Sequence, residues 1–219
     1  MTLENLQDLY LEELRDVYDA EQQLTKALQQ MAASAGNRQL AKAFESHLKQ
    51  TEEQITRLET VFQQNGEKAK RKPCKGMQGL IAEGKEMMKE NAEADTRDAG
   101  LIAAAQRAEH YEIAAYGTLC AYAELLGRKN DLRILQRTLK EEKDTDAKLT
   151  KLAMSTINIA AQEGTDGARG ARGDRAGRKP ARGNGAMTKE ELYARARELD
   201  IPGRSKMGKE ELERIVRSR

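Results

Sequence analysis

Four long amphipathic patterns occupy the first 163 residues of the chain. In each pattern, apolar residues recur at alternating steps of three and four, which is the spacing of one buried face of an α-helix. The patterns predict four long helices, over about residues 3–33, 40–65, 96–126 and 131–160. The first two helices are separated by a tight turn near Gly36 and the last two by a tight turn near Gly127.

Residues 66–97 form a much longer connection that contains one short helical pattern. Since short links make consecutive helices antiparallel neighbours, the chain is predicted to form two antiparallel hairpins joined by a long crossover. This is the ferritin-like arrangement of a four-helix bundle. Composition agrees, because only 4% of residues are aromatic and Trp is absent, whereas β-structure favours β-branched and aromatic residues. The prediction is an all-α protein with a ferritin-like bundle over residues 1–163.

Polar residues interrupt the apolar stripe of every long helix. Glu109 and Glu112 lie on the stripe of the third, where an unpaired charge costs on the order of several kcal/mol. Folding each hairpin about its turn places Glu21 opposite positions 47–51 and Glu112 opposite positions 142–146. We therefore expect one buried polar set at a common depth, with Thr51 nearby. The set consists of Glu21, His47, Glu109, Glu112, Glu142 and Asp146.

Five carboxylates in a bundle interior would be nearly neutralised by two divalent cations. Carboxylates with one imidazole suit iron or manganese, so the set predicts a dinuclear centre of two divalent ions, iron first and manganese second. Glu112 and Glu142 are the expected bridging ligands, and His47 is the expected nitrogen ligand. Glu109 is a ligand only if the site extends toward Asp146, and otherwise a hydrogen-bond acceptor. The alternative for each residue, taken singly, is a solvated position at the edge of its helix.

The last 56 residues have a different character. Residues 164–186 are mostly Gly, Ala and Arg, and their five Arg and one Lys against two Asp predict a flexible, basic linker. Residues 187–219 regain helical spacing, with a capping box at Thr188 and Glu191, and predict a small helix, an extended link and a second helix. Net charge is −4 for residues 1–163 and +6 for residues 164–219, an acidic body with a basic tail.

Cysteine usage and hydropathy indicate the setting. Cys74 and Cys120 lie far apart without a CxxC spacing, which predicts neither a zinc site nor a disulfide framework. No apolar run approaches the roughly 18 residues of a membrane span, and the first residues lack the pattern of a signal peptide. The expectation is a cytoplasmic protein with no membrane partner.

Five segments spread over residues 3–154 carry a family resemblance. They are LEELRDVYDAEQQLTKAL, FESHLKQTEEQ, CKGMQGLIAEG, DAGLIAAAQRAEHYEIAAYGTL and EEKDTDAKLTKLA. Together they resemble the YciE/YciF family of ferritin-like stress proteins. The resemblance implies a ferritin-like bundle, often a homodimer, with a dinuclear metal centre and induction under stress, but no settled reaction. The Glu-x-x-His pairs of better-known ferritin-like enzymes are absent, since position 44 is Phe and position 145 is Thr.

The tail carries a second, shorter resemblance. Residues 188–192, TKEEL, and 199–207, LDIPGRSKM, are similar to the helix-extended-helix modules of the Rho termination factor N-terminal domain and of SAP domains. The resemblance implies nucleic-acid binding, to which a basic linker would add salt-dependent attraction to phosphate. The alternative is a protein-interaction module on a solubilising linker. The predicted phosphate contacts are Arg178, Lys179, Arg182, Arg204, Lys206 and Lys209.

Three hypotheses follow for the function. The leading one is a stress-protective metalloprotein that oxidises Fe(II) or consumes peroxide and is tethered to DNA by its tail. The rival is a non-catalytic DNA-associated protein whose bundle serves only as a dimerisation scaffold. The third is an oxidase that acts on a small organic substrate, for which the sequence shows no pocket. Whether the protein is an enzyme stays open at this point.

Overall fold

The computed structural model describes residues 3–163, 192 and 208–217, and this part of the chain contains helices and no strand. A π-helical turn over Ala153–Ile157 follows the helix that ends at Leu152, and residues 158–163 after this turn are again α-helical. The helices are α1 over Leu6–Ser34, α2 over Arg38–Gln64, α3 over Lys75–Lys89, α4 over Ala94–Leu125, α5 over Lys129–Leu152 and α6 over Lys209–Arg217.

Short polar side chains and one glycine set the helix ends. The side chain of Asn5 accepts the Asp8 N–H at 3.0 Å at the start of α1. Asn37 accepts two backbone N–H groups at the start of α2, which satisfies donors that have no partner inside the helix. Gly127 has a φ of 71° just after α4, a left-handed conformation that favours glycine. These ends keep both hairpin links short, as the sequence predicts.

Hydrogen bonds between helix ends show the direction of each helix. At one end of the bundle, Gln7 Nε2 donates to Asn65 Oδ1 at 3.4 Å and Arg128 Nη2 donates to Gln7 Oε1 at 2.7 Å. At the other end, the Gly36 N–H donates to Asp98 Oδ1 at 2.9 Å. Residues 65–93 therefore return the chain along the whole bundle, and α3 packs on α4 and α1 during this return. This is the predicted ferritin-like connectivity.

The buried side chains form two apolar clusters along the bundle axis. One contains Leu28, Phe44 and Leu101, and the other contains Leu14 and Phe62 among others. The polar residues of the predicted site belong to the turns of helix between the two clusters. This apolar packing on both sides is what makes the position of the polar residues costly without compensation.

The predicted tail lies mostly outside the described residues, including the whole linker over 164–186. Helix α6 falls where the second helix of the tail module is predicted, and Leu212 is its buried residue. Among the described residues, none of the helices combines the length and apolar character that crossing a membrane requires.

Candidate metal centre

Three helices bring together four of the six predicted metal ligands. His47 comes from α2, Glu109 and Glu112 come from α4, and Glu142 comes from α5. One ligand atom from each residue can be chosen so that all four atoms lie within 4.8 Å of one another. All four side chains are buried, with at most 2% of their surface exposed. The group can hold a metal ion.

His47 faces two carboxylates. Its Nε2 lies 3.1 Å from Glu109 Oε1 and 3.7 Å from Glu142 Oε2. Burial by itself would lower the pKa of His47, but the charge of Glu109 and its hydrogen bond outweigh burial and raise it. The imidazole Nδ1 is buried and has no hydrogen-bond partner among the described residues. His47 is the one nitrogen-bearing residue of the group that could hold a metal ion.

Glu112 is the most exceptional member of the group. Its side chain is 0% exposed, and neither carboxylate oxygen has a hydrogen-bond partner among the described residues. Burial, followed by the charges of Glu21 and Glu142, raises the pKa of Glu112 well above its usual value. A buried acceptor without a partner costs about 1–3 kcal/mol, and more when it is charged. A cation on these oxygens would remove that cost.

Glu21 lies beside the group, but it is not one of the four residues whose ligand atoms all lie within 4.8 Å of one another. Its Oε1 accepts a 2.5 Å hydrogen bond from the Tyr116 hydroxyl, and its Oε2 is buried without a partner. Burial raises the pKa of Glu21 to about 7. Tyr116 is fully buried and makes the hydrogen bond expected of it. One oxygen of Glu21 is thus left without a hydrogen bond among the described residues.

Glu142 has a partner that the sequence reasoning missed. The amide of Gln54 donates to Glu142 Oε1, while Glu142 Oε2 is buried without a hydrogen-bond partner among the described residues. Burial and the charges of Glu21 and Glu109 raise the pKa of Glu142 to about 10. Gln54 is fully buried on the inner face of α2, next to the half-buried Ile55. Its spacing of seven residues from His47 is the signal that could have identified it.

Asp146 does not belong to the group. Its Oδ1 accepts a 2.8 Å hydrogen bond from Gln106 and lies 3.5 Å from Nε2 of His110, whose side chain is 70% exposed. The buried stripe of α5 instead continues from Glu142 to Thr145, a step of three that keeps the same face toward the core. Asp146 therefore lies at the edge of the bundle, and the centre does not extend toward it. Glu109 is nevertheless a member of the group.

The predicted phosphate contacts can be placed at one position only. Lys209 is exposed and begins α6. The other five contacts lie outside the described residues: Arg178, Lys179, Arg182, Arg204 and Lys206.

The donor set fits the predicted metals. The centre presents one imidazole and several carboxylates, the ligands that iron and manganese accept in proteins. The described residues leave buried oxygen or nitrogen atoms without partners on Glu21, His47, Glu109, Glu112 and Glu142. Native interiors satisfy nearly all such atoms. A bound cation could satisfy these atoms.

The region that forms this centre also carries the family relationship. A family model described as "Domain of unknown function (DUF892)" matches residues 5–162. The chain belongs to the DUF892 family. Protein YciF of Escherichia coli, strain K12, is 44% identical over 163 residues, which cover 74% of this chain and 98% of YciF. This DUF892 member is therefore a relative of YciF over its whole bundle.

Solved structures agree with the fold. The crystal structure of YciF, titled an E. coli stress protein, superimposes with a TM-score of 0.69 at 45% identity and covers 71% of this chain and 98% of YciF. YcfI from Rhodopseudomonas palustris superimposes with a TM-score of 0.67 at 46% identity, and the match covers 68% of this chain and 94% of YcfI. Protein XCC3681 from Xanthomonas campestris, at 16% identity, superimposes with a TM-score of 0.57, and the match covers 74% of this chain and 99% of XCC3681. This last similarity concerns the fold alone.

Proposed function

We infer that this DUF892 member is a stress-response metalloprotein whose buried centre holds two ions of iron or manganese. His47, Glu109, Glu112 and Glu142 would hold the first ion, and Glu21 would join Glu112 and Glu142 around the second. The name of the E. coli relative as a stress protein supports the cellular role. The observation that carries the proposal is Glu112, a fully buried carboxylate with both oxygens unpartnered.

Charge supports two ions rather than one. Glu21, Glu109, Glu112 and Glu142 would together carry four negative charges when ionised. Two divalent cations balance that charge, while a single one leaves two charges in an apolar interior. In two-metal sites the ions lie about 3.5–4 Å apart, a separation that one bridging carboxylate spans. Glu112 fits this bridging role because neither of its oxygens is engaged elsewhere.

The chemistry that such a centre supplies is redox chemistry of the bound ions with an oxygen-derived oxidant. Iron held by His47 and the four glutamates would supply electrons to such an oxidant. Removing Fe(II) and oxidant from the cell in this way would be protective under stress. The lack of a Glu-x-x-His pair at positions 44 and 145 distinguishes the ligand set from that of better-known ferritin-like enzymes.

Elemental analysis of protein purified without added chelator tests the proposal. The wild type is expected to carry about two transition-metal ions per chain, and the Glu112→Ala/Glu142→Ala variant much less than one. A matched Glu53→Ala/Glu83→Ala variant, which removes two exposed carboxylates, should retain the wild-type content. Less than about one ion per wild-type chain, unchanged in the first variant, would refute the proposal.

The tail is proposed to bind nucleic acid, and the charge difference between tail and bundle supports this. The rival function is a DNA-associated protein whose bundle is only a dimerisation scaffold. Ending the chain at residue 163 separates the two, because YciF matches this region over 98% of its own length and has little beyond it. The metal hypothesis predicts that the shortened chain keeps its metal and redox activity but loses DNA binding. The rival predicts that metal content has no functional consequence and that all function is lost.

A further inference from the structure

A short run of positive charge lies on the surface of the otherwise acidic bundle. Residues 68–75, which we call the basic segment, read KAKRKPCK and carry five positive charges and no negative one. Since residues 1–163 together carry −4, the rest of that range carries −9. The basic segment is the part of the long crossover that leads into α3. Its charge is therefore opposite in sign to that of the bundle around it.

The backbone of the basic segment is held against α1. The Cys74 N–H donates to Asp19 Oδ2 at 2.7 Å, and the Lys72 N–H donates to a backbone carbonyl of α1 at 3.2 Å. Two of the five cations add to this attachment. Arg71 Nε donates to Asp19 Oδ1 at 2.6 Å, and Lys72 Nζ lies 3.2 Å from Glu12 Oε1. The segment therefore presents its remaining charges from a fixed position.

The other three cations of the basic segment face solvent. Lys68, Lys70 and Lys75 are exposed, and none of them has an ion pair or a side-chain hydrogen bond with another described residue. Lys75 is also the first residue of α3, and the first turn of α3 contains no acidic residue. A positive charge is unfavourable at this end of a helix, because the helix dipole favours anions there. An external anion is the partner that these three side chains favour.

The composition of the basic segment indicates the class of anion. Its uncharged residues are Ala69, Pro73 and Cys74, and Cys74 is buried. The segment therefore has no large apolar side chain to insert into a membrane and no aromatic ring to stack on a base. Closely spaced lysines without such side chains suit the repeated phosphates of a nucleic-acid backbone, which Lys and Arg bind without reading the sequence.

We propose that the basic segment binds the phosphate backbone of a nucleic acid, with Lys68, Lys70 and Lys75 as its contacts. The inference rests on the proposed binding of nucleic acid by this chain and adds a second contact, on the bundle itself. Three contacts on a bundle of net negative charge give little affinity alone. The segment therefore strengthens the binding of a nucleic acid that the tail also contacts.

The salt dependence of binding tests the proposal, with the full chain and a short DNA duplex of mixed sequence. Each phosphate contact contributes about −0.9 to the slope of the logarithm of the binding constant against the logarithm of the salt concentration. Lys68→Gln/Lys70→Gln/Lys75→Gln should therefore make this slope shallower by about 2–3, and weaken binding at about 50 mM salt by about tenfold. Fluorescence anisotropy of the labelled duplex measures both quantities.

A matched variant controls for net charge. Lys26→Gln/Lys42→Gln/Lys129→Gln removes the same charge from exposed lysines of α1, α2 and α5, and it should leave the slope unchanged. Both triple variants change only exposed side chains, so their melting temperatures should equal that of the wild type.

Four results would overturn the inference. One is an equal slope in the wild type and in the variant of the basic segment, and another is an equal change of slope in both triple variants, which net charge alone would explain. The third is loss, in the variant of the basic segment, of binding to vesicles of phosphatidylcholine and phosphatidylserine while DNA binding is unchanged, which would assign the segment to a membrane surface. The fourth is a full chain that does not bind DNA at about 50 mM salt.

Shortening the chain distinguishes failure of the segment from failure of the tail. If the chain that ends at residue 163 binds DNA as tightly as the full chain, the proposed role of the tail is wrong, while a shallower slope in the variant of the basic segment still supports the segment. If shortening abolishes binding and that variant keeps the wild-type slope, the tail binds the DNA and the segment does not.

Discussion

Two kinds of buried carboxylate in this bundle differ in the hydrogen-bond donors that surround them. Asp19 accepts hydrogen bonds from the Cys74 N–H at 2.7 Å, from Gln23 at 2.6 Å and from Arg71 at 2.6 Å. Burial would raise the pKa of Asp19, but these three donors outweigh burial and lower it. Glu112 lies deeper and has no donor among the described residues, and burial together with the charges of Glu21 and Glu142 raises its pKa.

The difference shows that burial alone does not identify a functional carboxylate. Asp19 is part of the structure, because it holds the start of α3 against α1. Asp98 has a similar role, accepting the N–H groups of Gly36 and Asn37 at 2.9 and 2.6 Å. Glu112 has no such partner among the described residues, and Glu21, Glu109 and Glu142 each keep one oxygen without a hydrogen bond. A cation would compensate these oxygens.

The largest expected effect is the rise in melting temperature that metal binding causes, which should depend on the glutamates of the centre and not on Asp19. Saturating Fe(II) under anaerobic conditions should raise the melting temperature of the wild type by about 10 °C, because a ligand at a thousand times its dissociation constant adds about 4 kcal/mol. Asp19→Asn should keep this increase, and Glu112→Ala/Glu142→Ala should lose it. Thermal unfolding followed by circular dichroism measures the shift. Equal increases in both variants would remove the distinction between the two kinds of carboxylate.

Removing a structural carboxylate should destabilise the protein with or without metal. Asp19→Ala leaves the buried Cys74 N–H without an acceptor and Arg71 without its partner. We expect the free energy of unfolding to fall by about 3 kcal/mol, measured by urea denaturation, while the metal content per chain is unchanged. Asp144→Ala is the control, since it removes an exposed carboxylate paired with Lys140 and should change stability little. Loss of metal in Asp19→Ala would contradict this division of roles.

The two sites should also respond to pH in opposite directions. The raised pKa values of Glu21, about 7, and Glu142, about 10, mean that their contribution is present at low pH and is lost as pH rises through those values. The lowered pKa of Asp19 means that its contribution is present near neutrality and is lost as the solution becomes acidic. Metal-free wild type should thus melt at a lower temperature at pH 9 than at pH 6.

Two isosteric variants sharpen this pH comparison. Glu112→Gln should reduce the loss of stability between pH 6 and pH 9 in the metal-free protein, since it removes a repulsive buried charge. Asp19→Asn should leave that loss unchanged. A metal-free wild type whose melting temperature rises from pH 6 to pH 9 would show that the buried glutamates are compensated by the protein itself.

The smallest predicted effect concerns the hydrogen bond to a ligand. Gln54→Leu removes the amide that donates to Glu142 and should weaken iron binding by about tenfold, the lower end for groups that orient metal ligands. Gln106→Leu removes the matching amide that donates to Asp146 and should leave iron affinity unchanged. Anaerobic titration measures both. If Gln106→Leu weakened iron binding as much as Gln54→Leu does, Asp146 would have to be a metal ligand.

The sequence was sufficient for the fold because helical periodicity and link lengths are local signals. Both hairpins, the long crossover and the depth shared by Glu21, His47, Glu112 and Glu142 follow from them. Which of two neighbouring residues faces the core is harder to predict, because steps of three and of four residues both keep to one face of a helix. Residue type favours Asp146 over Thr145 as a metal ligand and Ile55 over Gln54 as a buried residue, whereas the structure buries Thr145 and Gln54. Only the packing of α2 against α5 decides between such neighbours.

The central claim is that Glu112 and the three glutamates around it hold two metal ions. Anomalous diffraction at the iron edge, from crystals loaded with Fe(II), tests it most directly. The account predicts two peaks about 3.5–4 Å apart, with Glu112 and Glu142 between them and His47 at one of them. No peak at these residues, or a peak at Asp146 and His110 instead, would contradict it.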